Sequence, residues 1–298
     1  MWWWLDGQLL TAEGAHLPAD DRGLLLGEGL FETLLVHRGH PIEAAAHLAR
    51  LAQSAASLGL ELPWEAAELM DALHRLLAAN RSHLDLQRSD AALRITLTGG
   101  SGPRGLLPPA TARPRLLICI TPYAAPDPGH AATAILSPWR ICTGSPLRGH
   151  KTLSAFEAVL AARHARQQGA QEALLLNEAG HLVEAAAANL FLVSATGILH
   201  TPPLADGALP GVTRARVLDL AAAEGIASRA DLPVQPSALT TASEAFLSNS
   251  LIGIRPLGAI LTEAASLITW PSAPGPVTRC LQTALRRAWA AAAEDAVD

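Results

Sequence analysis

A proline-rich segment divides this chain of 298 residues near its middle, and it constrains the fold more than any other feature. Residues 122–129 read Pro-Tyr-Ala-Ala-Pro-Asp-Pro-Gly and interrupt the hydrophobic periodicity on either side. A single hydrophobic core stops growing at about 250–300 residues, so a chain of this length tends to form two domains. We therefore predict a small N-terminal α/β domain over residues 1–122, a linker over 123–130 and a larger domain over 131–298.

The N-terminal part shows the pattern of a sheet with two covering helices. Asp6-Gly7 between two apolar runs predicts a hairpin with a type I′ turn. Alternating and helical periodicities then predict strands over 31–37, 91–98 and 115–121, and helices over about 47–59 and 65–79.

The C-terminal part alternates strands and helices, which indicates a mixed α/β class. Strands are predicted over 132–136, 173–176, 182–184, 190–193, 198–200 and 244–247. Helices are predicted just after Lys151, over 211–224 and from Val277 to the end of the chain.

Charge and cysteine content exclude several classes of function. The net charge is −5 without a block of like charge, which argues against a nucleic-acid or anionic-membrane surface. No stretch reaches the roughly 18 apolar residues of a membrane span, and the N-terminus lacks the pattern of a signal peptide. The three cysteines are far apart and form neither a metal-binding spacing nor a disulfide framework. We expect a cytoplasmic protein without a bound metal.

Lysine occurs once, at position 151, whereas arginine occurs 21 times. Lysine is ordinarily among the commoner residues. A surface lysine can be replaced by arginine at little cost, but a guanidinium stays protonated and does not condense with an aldehyde. Lys151 is therefore a candidate for amine chemistry, and chance survival on the surface is the alternative.

A glycine-rich loop follows the strand predicted over 91–98. Residues 100–105 match the Gly-x-Gly-x-x-Gly pattern of dinucleotide-binding folds, but Pro103 interrupts it and no helix is predicted after it. We therefore reject a dinucleotide site. Arg104 within the loop suits a substrate carboxylate, and a solvated loop charge is the alternative.

Three further segments suggest an anion site. The sequence Leu209-Pro-Gly-Val-Thr-Arg opens a predicted helix, whose free N–H groups and Thr213 hydroxyl could bind a phosphate. Ser250 at a strand end could donate to the same phosphate, and Arg50 could supply a positive charge. The alternatives are that Ser250 belongs to a polar turn and that Arg50 lies on the surface of a helix. Glu184 stands in an apolar stretch, where a carboxylate is costly to bury unless it is paired.

Six blocks recur in order and carry a family resemblance. They are Asp21 to Thr33 (DRGLLLGEGLFET), His47 to Leu51 (HLARL), Lys151-Thr-Leu, Val183-Glu184 with Asn189-Leu-Phe, Leu209 to Arg214 (LPGVTR), and Phe246 to Ser250 (FLSNS) with Arg255-Pro256. Together they resemble the class IV, or fold type IV, pyridoxal-phosphate enzymes. That group contains branched-chain aminotransferases, D-amino-acid aminotransferases and aminodeoxychorismate lyases, and the resemblance covers residues 1–260.

The resemblance implies a two-domain mixed α/β fold of type IV with pyridoxal 5′-phosphate as cofactor, bound mainly by the C-terminal domain. It also implies a homodimer, because the family builds its active site at a dimer interface. By position, Lys151 matches the Schiff-base lysine and Glu184 the partner of the pyridine nitrogen. The positions that match the phosphate binders are Arg50, Val212, Thr213 and Ser250.

Within the family, the blocks favour aminodeoxychorismate lyase. The segment from Asn249 resembles the lyase pattern Asn-Ser-Leu followed by Arg-Pro, and the loop around Arg104 resembles the lyase's glycine loop. Phe156 stands where branched-chain aminotransferases usually have tyrosine. The predicted reaction converts 4-amino-4-deoxychorismate, a small-molecule amine, to 4-aminobenzoate and pyruvate, as in folate biosynthesis. Lys151 would act as general base and Glu184 would keep the ring nitrogen protonated.

Some positions depart from the lyase pattern and leave two alternatives open. Ser154-Ala155 replaces the usual Asn-Arg, Ile252 an arginine that is often present, and Leu106 the usual tyrosine. The first alternative is a class IV aminotransferase acting on D-amino or branched-chain amino acids. The second is a cofactor-binding or storage protein, which we disfavour because Arg104 and Arg255 still offer anion contacts.

Overall fold

The computed structural model describes residues 1–109, 113–261 and 267–294, which group into two compact units. The first unit comprises Met1–Ala124, His150–Ser154 and Trp289–Asp298, and the second comprises Ala125–Gly149 and Ala155–Ala288. The change at residues 124 and 125 falls within the segment predicted as a linker. The segments His150–Ser154 and Trp289–Asp298 group with the first unit, whereas the sequence pattern assigned them to the C-terminal domain.

The first unit contains a six-stranded sheet in the order β2-β1-β6-β5-β3-β4. The strands are β1 (Trp2–Leu5), β2 (Gln8–Thr11), β3 (Gly29–His37), β4 (His40–Pro41), β5 (Ala91–Thr98) and β6 (Arg115–Pro122), and the helices are α1 (Arg22–Leu26), α2 (Ala44–Leu58) and α3 (Ala66–Asn80). Asp6 and Gly7 both have positive φ, 47° and 95°, which confirms the type I′ hairpin turn. The sequence did not predict α1 or β4.

One face of this sheet is apolar because strand residues alternate between faces. Leu30, Leu34 and Val36 of β3 are buried in a core with residues of β5 and β6, and α2 and α3 pack against it. The helix α2 begins three residues earlier than predicted but ends as predicted at Gly59, whose φ of 68° is the left-handed conformation that terminates many helices. This packing fixes the face of α2 that points to the sheet.

The second unit contains a nine-stranded sheet in which six strands close into a ring. The ring runs β10-β13-β14-β7-β8-β9, and β9 pairs back with β10. The strands are β7 (Ala132–Ile141), β8 (Glu172–Asn177), β9 (Leu182–Ala185), β10 (Ala188–Val193), β11 (Leu199–His200), β12 (Ser228–Arg229), β13 (Glu244–Asn249), β14 (Gly253–Leu261) and β15 (Leu267–Thr269). The helices are α4 (Phe156–Gln167), α5 (Val212–Ala223), α6 (Ala238–Thr241) and α7 (Pro276–Glu294). The residues of α7 from Trp289 onward belong to the first unit.

The helix α4 begins at Phe156 and not just after Lys151, as the sequence had indicated. The residues directly after Lys151 are not helical because their backbone pairs with β3: Thr152 is bridged to Leu30, and the Leu153 N–H donates to the Gly29 carbonyl oxygen. The strand β14 was not predicted either. Within the described ranges, no helix combines the length and the apolar character that a membrane span needs.

Candidate active site

The backbone around Lys151 is part of the first unit's sheet. The Phe31 N–H donates to the Lys151 carbonyl oxygen at 2.9 Å, and the Leu153 N–H donates to the Gly29 carbonyl oxygen at 2.9 Å. The segment therefore extends the sheet beside the start of β3. These bonds join residues more than 100 positions apart in sequence, which explains why the hydrophobic pattern placed Lys151 in the other domain.

The side chain of Lys151 lies against an aromatic ring that also contacts an arginine. Its Nζ is 4.3 Å from the centroid of the Phe31 ring, and the Cζ atom of Arg94 is 3.9 Å from the same centroid. Next to the lysine, the ring nitrogen Nδ1 of His150 lies 3.0 Å from the Ser54 hydroxyl on α2. The Phe31 ring thus contacts two cations, and the segment of Lys151 is held by both the sheet and α2.

Arg50 lies in a largely buried group of ionisable side chains that we call the first-unit cluster: Glu32, His47 and Arg50. The Nε and Nη2 atoms of Arg50 donate to the two carboxylate oxygens of Glu32 at 2.8 and 2.7 Å, and His47 Nδ1 lies 2.7 Å from the same carboxylate. Glu32 and His47 are each 1% exposed and Arg50 is 11% exposed. Arg50 is therefore not a solvated surface residue, and Glu32 fixes the orientation of its guanidinium.

Glu32 is ionised by these contacts. Burial alone would raise the pKa of Glu32, but the hydrogen bonds and positive charges of His47 and Arg50 outweigh it and hold the pKa below its ordinary value. Sequence reasoning missed Glu32, although a signal was present: strand alternation puts it on the same face as Leu30 and Leu34, where a carboxylate needs a partner.

Glu184 lies in β9 of the second unit, beside the segment that leads into α5. Its Oε2 atom accepts the Leu209 N–H at 3.0 Å and the Asn189 amide at 3.4 Å. Asn189 also donates to the Leu209 carbonyl oxygen at 3.0 Å, and a Cβ atom at Gly211 would lie only 2.0 Å from the Asn189 Oδ1 atom. Asn189, another residue that sequence reasoning gave no role, therefore holds Glu184 and the start of α5 together.

Three of the residues predicted to bind a phosphate, Val212, Thr213 and Ser250, lie close together in the second unit. Gly211 is the N-cap of α5, so Val212 and Thr213 are its first two helical residues. The Thr213 hydroxyl lies 3.5 Å from the Ser250 hydroxyl, which joins the helix start to the turn after β13. We call Glu184, Asn189, Thr213 and Ser250 the second-unit cluster. It contributes hydroxyl groups and the free N–H groups of a helix start, which suit an anion.

The two arginines proposed for anion contacts differ in their surroundings. Arg104 is exposed in a loop of the first unit that is neither helix nor strand, as expected after rejection of the dinucleotide pattern. Arg255 on β14 donates to Gln171 at 3.0 Å and lies 3.7 Å from Glu172. Two of its nitrogens thus have partners while Nε has none in the part of the chain that the structure describes, and the anion contact of Arg255 stays a prediction. Among described residues, no group of three or more His, Cys, Asp or Glu side chains could hold a metal ion.

Comparisons with known proteins place these features in a family context. Residues 29–260 match the family model for amino-transferase class IV. A solved 4-amino-4-deoxychorismate lyase from Pseudomonas aeruginosa is 34% identical, with a TM-score of 0.81, and the match covers 96% of this chain and 98% of that one. A branched-chain amino acid aminotransferase from Escherichia coli is 27% identical, with a TM-score of 0.85 and coverage of 94% and 92%. The D-alanine aminotransferase of Bacillus licheniformis is 28% identical, with 94% of each chain covered.

Proposed function

This chain belongs to the amino-transferase class IV family of pyridoxal-phosphate enzymes, and we propose that it converts 4-amino-4-deoxychorismate to 4-aminobenzoate and pyruvate. The family places it among enzymes that act on small-molecule amines, with the mixed α/β fold predicted from the sequence.

The residues present fit the cofactor. A phosphate needs hydrogen-bond donors, which the start of α5 and the paired hydroxyls of Thr213 and Ser250 offer. A Cβ atom at Gly211 would lie only 2.0 Å from the Asn189 Oδ1 atom, so glycine lets the start of α5 approach Asn189 closely. We propose that Val212, Thr213, Ser250 and Arg50 hold the phosphate. Glu184 would hold a proton on the pyridine nitrogen.

Lys151 carries the covalent and proton-transfer roles in this proposal. Pyridoxal phosphate supplies an aldehyde for amine chemistry and a ring that withdraws electrons. The Lys151 amine would condense with the aldehyde and, once the substrate amine displaces it, would take the proton from C4 of the substrate. Phe31 and the backbone bonds of its segment hold Lys151 in place for both roles.

The observation that carries the lyase assignment is the turn built by Asn249. Its Oδ1 atom accepts the N–H groups of Leu251 and Ile252, each at 2.9 Å, and its Nδ2 donates to the Ala187 carbonyl oxygen at 3.0 Å. The glycine that aminotransferases more often have here cannot make these contacts. The lyase-like Asn-Ser-Leu block therefore organises the turn that presents Ser250.

Charges near Lys151 support a substrate that carries carboxylates. Arg94 contacts the Phe31 ring that Lys151 also contacts, and Arg104 lies in the exposed glycine loop. Arginine is well suited to bind carboxylates because its planar fork donates two parallel hydrogen bonds. Homodimer formation and a cytoplasmic location remain parts of the proposal that the sequence motivates.

The decisive experiment uses one preparation of the protein loaded with pyridoxal phosphate. We expect 4-aminobenzoate and pyruvate to appear from aminodeoxychorismate without a keto-acid acceptor. Stoichiometric conversion of the cofactor to its pyridoxamine form by D-alanine, L-leucine or L-glutamate, with no detectable 4-aminobenzoate, would instead identify an aminotransferase. That second candidate is favoured by the TM-score of 0.85 to the Escherichia coli aminotransferase.

A further inference from the structure

The start of α1 is attached to the first residues of the glycine loop. The Arg22 N–H donates to the Gly100 carbonyl oxygen at 2.9 Å, and the Ser101 hydroxyl donates to Asp20 at 2.9 Å. A Cβ atom at Gly102 would lie 3.1 Å from Cδ of Arg22, so any larger residue there would push the arginine by a few tenths of an ångström.

The same arginine holds the far end of the loop. The guanidinium of Arg22 donates to the carbonyl oxygens of Gly105 at 3.1 Å, Leu106 at 2.5 Å and Leu107 at 3.5 Å. Arg104 lies between the two attachment points. One side chain thus binds three successive backbone carbonyls, which the five donors of a planar guanidinium permit and a lysine ammonium does not reproduce.

Polar contacts with Arg22 hold this part of the loop in place of apolar packing. Leu106 and Leu107 are 81% and 85% exposed, so their side chains do not anchor it. Arg22 itself is only 3% exposed, and its Nε donates to Glu28 at 2.5 Å. A buried arginine is costly unless it is paired, and Glu28 provides that partner.

We propose that Arg22 is a positioning residue for substrate recognition: it fixes the loop that carries Arg104 and so presents the Arg104 guanidinium to a substrate carboxylate. This inference rests on the proposed function, in which Arg104 contacts the substrate. The physical reason is preorganisation, because an arginine on an already ordered loop loses less conformational entropy when it binds its ligand.

The test compares Arg22→Lys with the unaltered enzyme, both loaded with pyridoxal phosphate. Amide hydrogen exchange over residues 102–107 should speed up in Arg22→Lys, because the carbonyls lose their common donor. The KM for aminodeoxychorismate should rise roughly three- to tenfold with little change in kcat or in cofactor content. Arg88→Lys, at a side chain that is 87% exposed, is the matched control and should change neither measurement.

A double variant separates positioning from a general loss of structure. In an Arg104→Ala background, Arg22→Lys should raise the KM no further, because the group that it positions is gone. An equal rise in both backgrounds would overturn the proposal, as would unchanged loop exchange in Arg22→Lys. If Arg22→Lys does not fold, Glu28→Gln provides the test, since it should change exchange and KM in the same direction by a smaller amount.

The proposed function can fail separately. If no 4-aminobenzoate forms, the KM comparisons are made with the amino acid that the enzyme does convert, and the same outcomes decide the role of Arg22. If Arg104→Ala leaves the KM of every converted substrate unchanged, Arg104 is not a carboxylate contact and the positioning role of Arg22 is overturned with it, whichever reaction the enzyme catalyses.

Discussion

The first-unit cluster and the second-unit cluster consist of chemically different groups. The first consists of the largely buried carboxylate of Glu32 with the Arg50 guanidinium and the His47 ring as its partners. The second consists mainly of hydroxyls, an amide and the backbone of a helix start, around Thr213 and Glu184. Removal of one buried charge leaves its partner unpaired, whereas removal of one hydroxyl leaves the remaining donors in place. Substitutions in the first-unit cluster should therefore lower the free energy of unfolding, and substitutions in the second-unit cluster should weaken cofactor binding.

The largest effect should come from Lys151, the only lysine of the chain. Lys151→Arg should abolish turnover and borohydride-reducible attachment of pyridoxal phosphate, because a guanidinium does not condense with an aldehyde. Mass spectrometry of reduced protein measures this directly. Arg88→Lys adds a second lysine at an exposed position and should leave the label on Lys151 alone. A labelled Lys151→Arg protein would contradict the assignment.

Arg50→Ala tests the first-unit cluster most severely. It leaves the buried carboxylate of Glu32 with one partner fewer, and breaking a buried pair in this way costs about 3–5 kcal/mol of unfolding free energy. Urea denaturation should show the loss, and the double variant Glu32→Gln with Arg50→Met should recover part of it. The control Arg75→Ala breaks an exposed pair with Asp71 and should cost less than about 1 kcal/mol. Equal costs for Arg50→Ala and Arg75→Ala would show that burial of the cluster contributes nothing.

Glu184→Gln tests whether the second-unit cluster acts in catalysis rather than in folding. Glutamine can keep the hydrogen bond from Leu209 but cannot hold a proton on the pyridine nitrogen. Turnover should fall by about 10²–10³-fold, the range for loss of one preorganised electrostatic partner, while stability and cofactor attachment change little. Glu13→Gln, at an exposed glutamate, serves as control. Turnover near the wild-type value in Glu184→Gln would show that Glu184 has only a structural role.

The dependence of stability on pH should also distinguish the clusters. Because the folded-state pKa of Glu32 is lowered, its ionised form stabilises the fold above the unfolded-state pKa of about 4.3, and that contribution is lost as the pH falls through the folded-state pKa. The unfolding free energy of the wild type should therefore decline more steeply below about pH 5 than that of Glu32→Gln. Parallel declines in the two proteins would show that Glu32 contributes no proton linkage.

The smallest effect should come from Thr213→Val. It removes one hydroxyl but keeps the N–H groups at the start of α5, so cofactor binding should weaken by about 0.5–1.5 kcal/mol. Equilibrium dialysis of pyridoxal phosphate measures the change, and Thr269→Val at an exposed strand position is the control. A loss of cofactor affinity above about 3 kcal/mol would mean that the second-unit cluster depends on single side chains.

Local patterns in the sequence determined the elements and singled out Lys151. Asp6-Gly7 specifies a hairpin turn because both residues tolerate positive φ, and Gly59 ends α2 for the same reason. Lys151 stands out as the single lysine, and the order of the motifs indicates the family. These properties depend on a few neighbouring residues or on residue identity, so they can be read without knowledge of the fold.

Only the tertiary structure decided which residues hold the predicted site residues. Three of these contacts join segments that are 18 to 120 positions apart: Lys151 with Phe31, Arg50 with Glu32, and Arg22 with the carbonyl oxygens of residues 105–107. No hydrophobic period encodes such pairs, because they arise when packing brings distant polar groups into a region with little water and each must find a partner there.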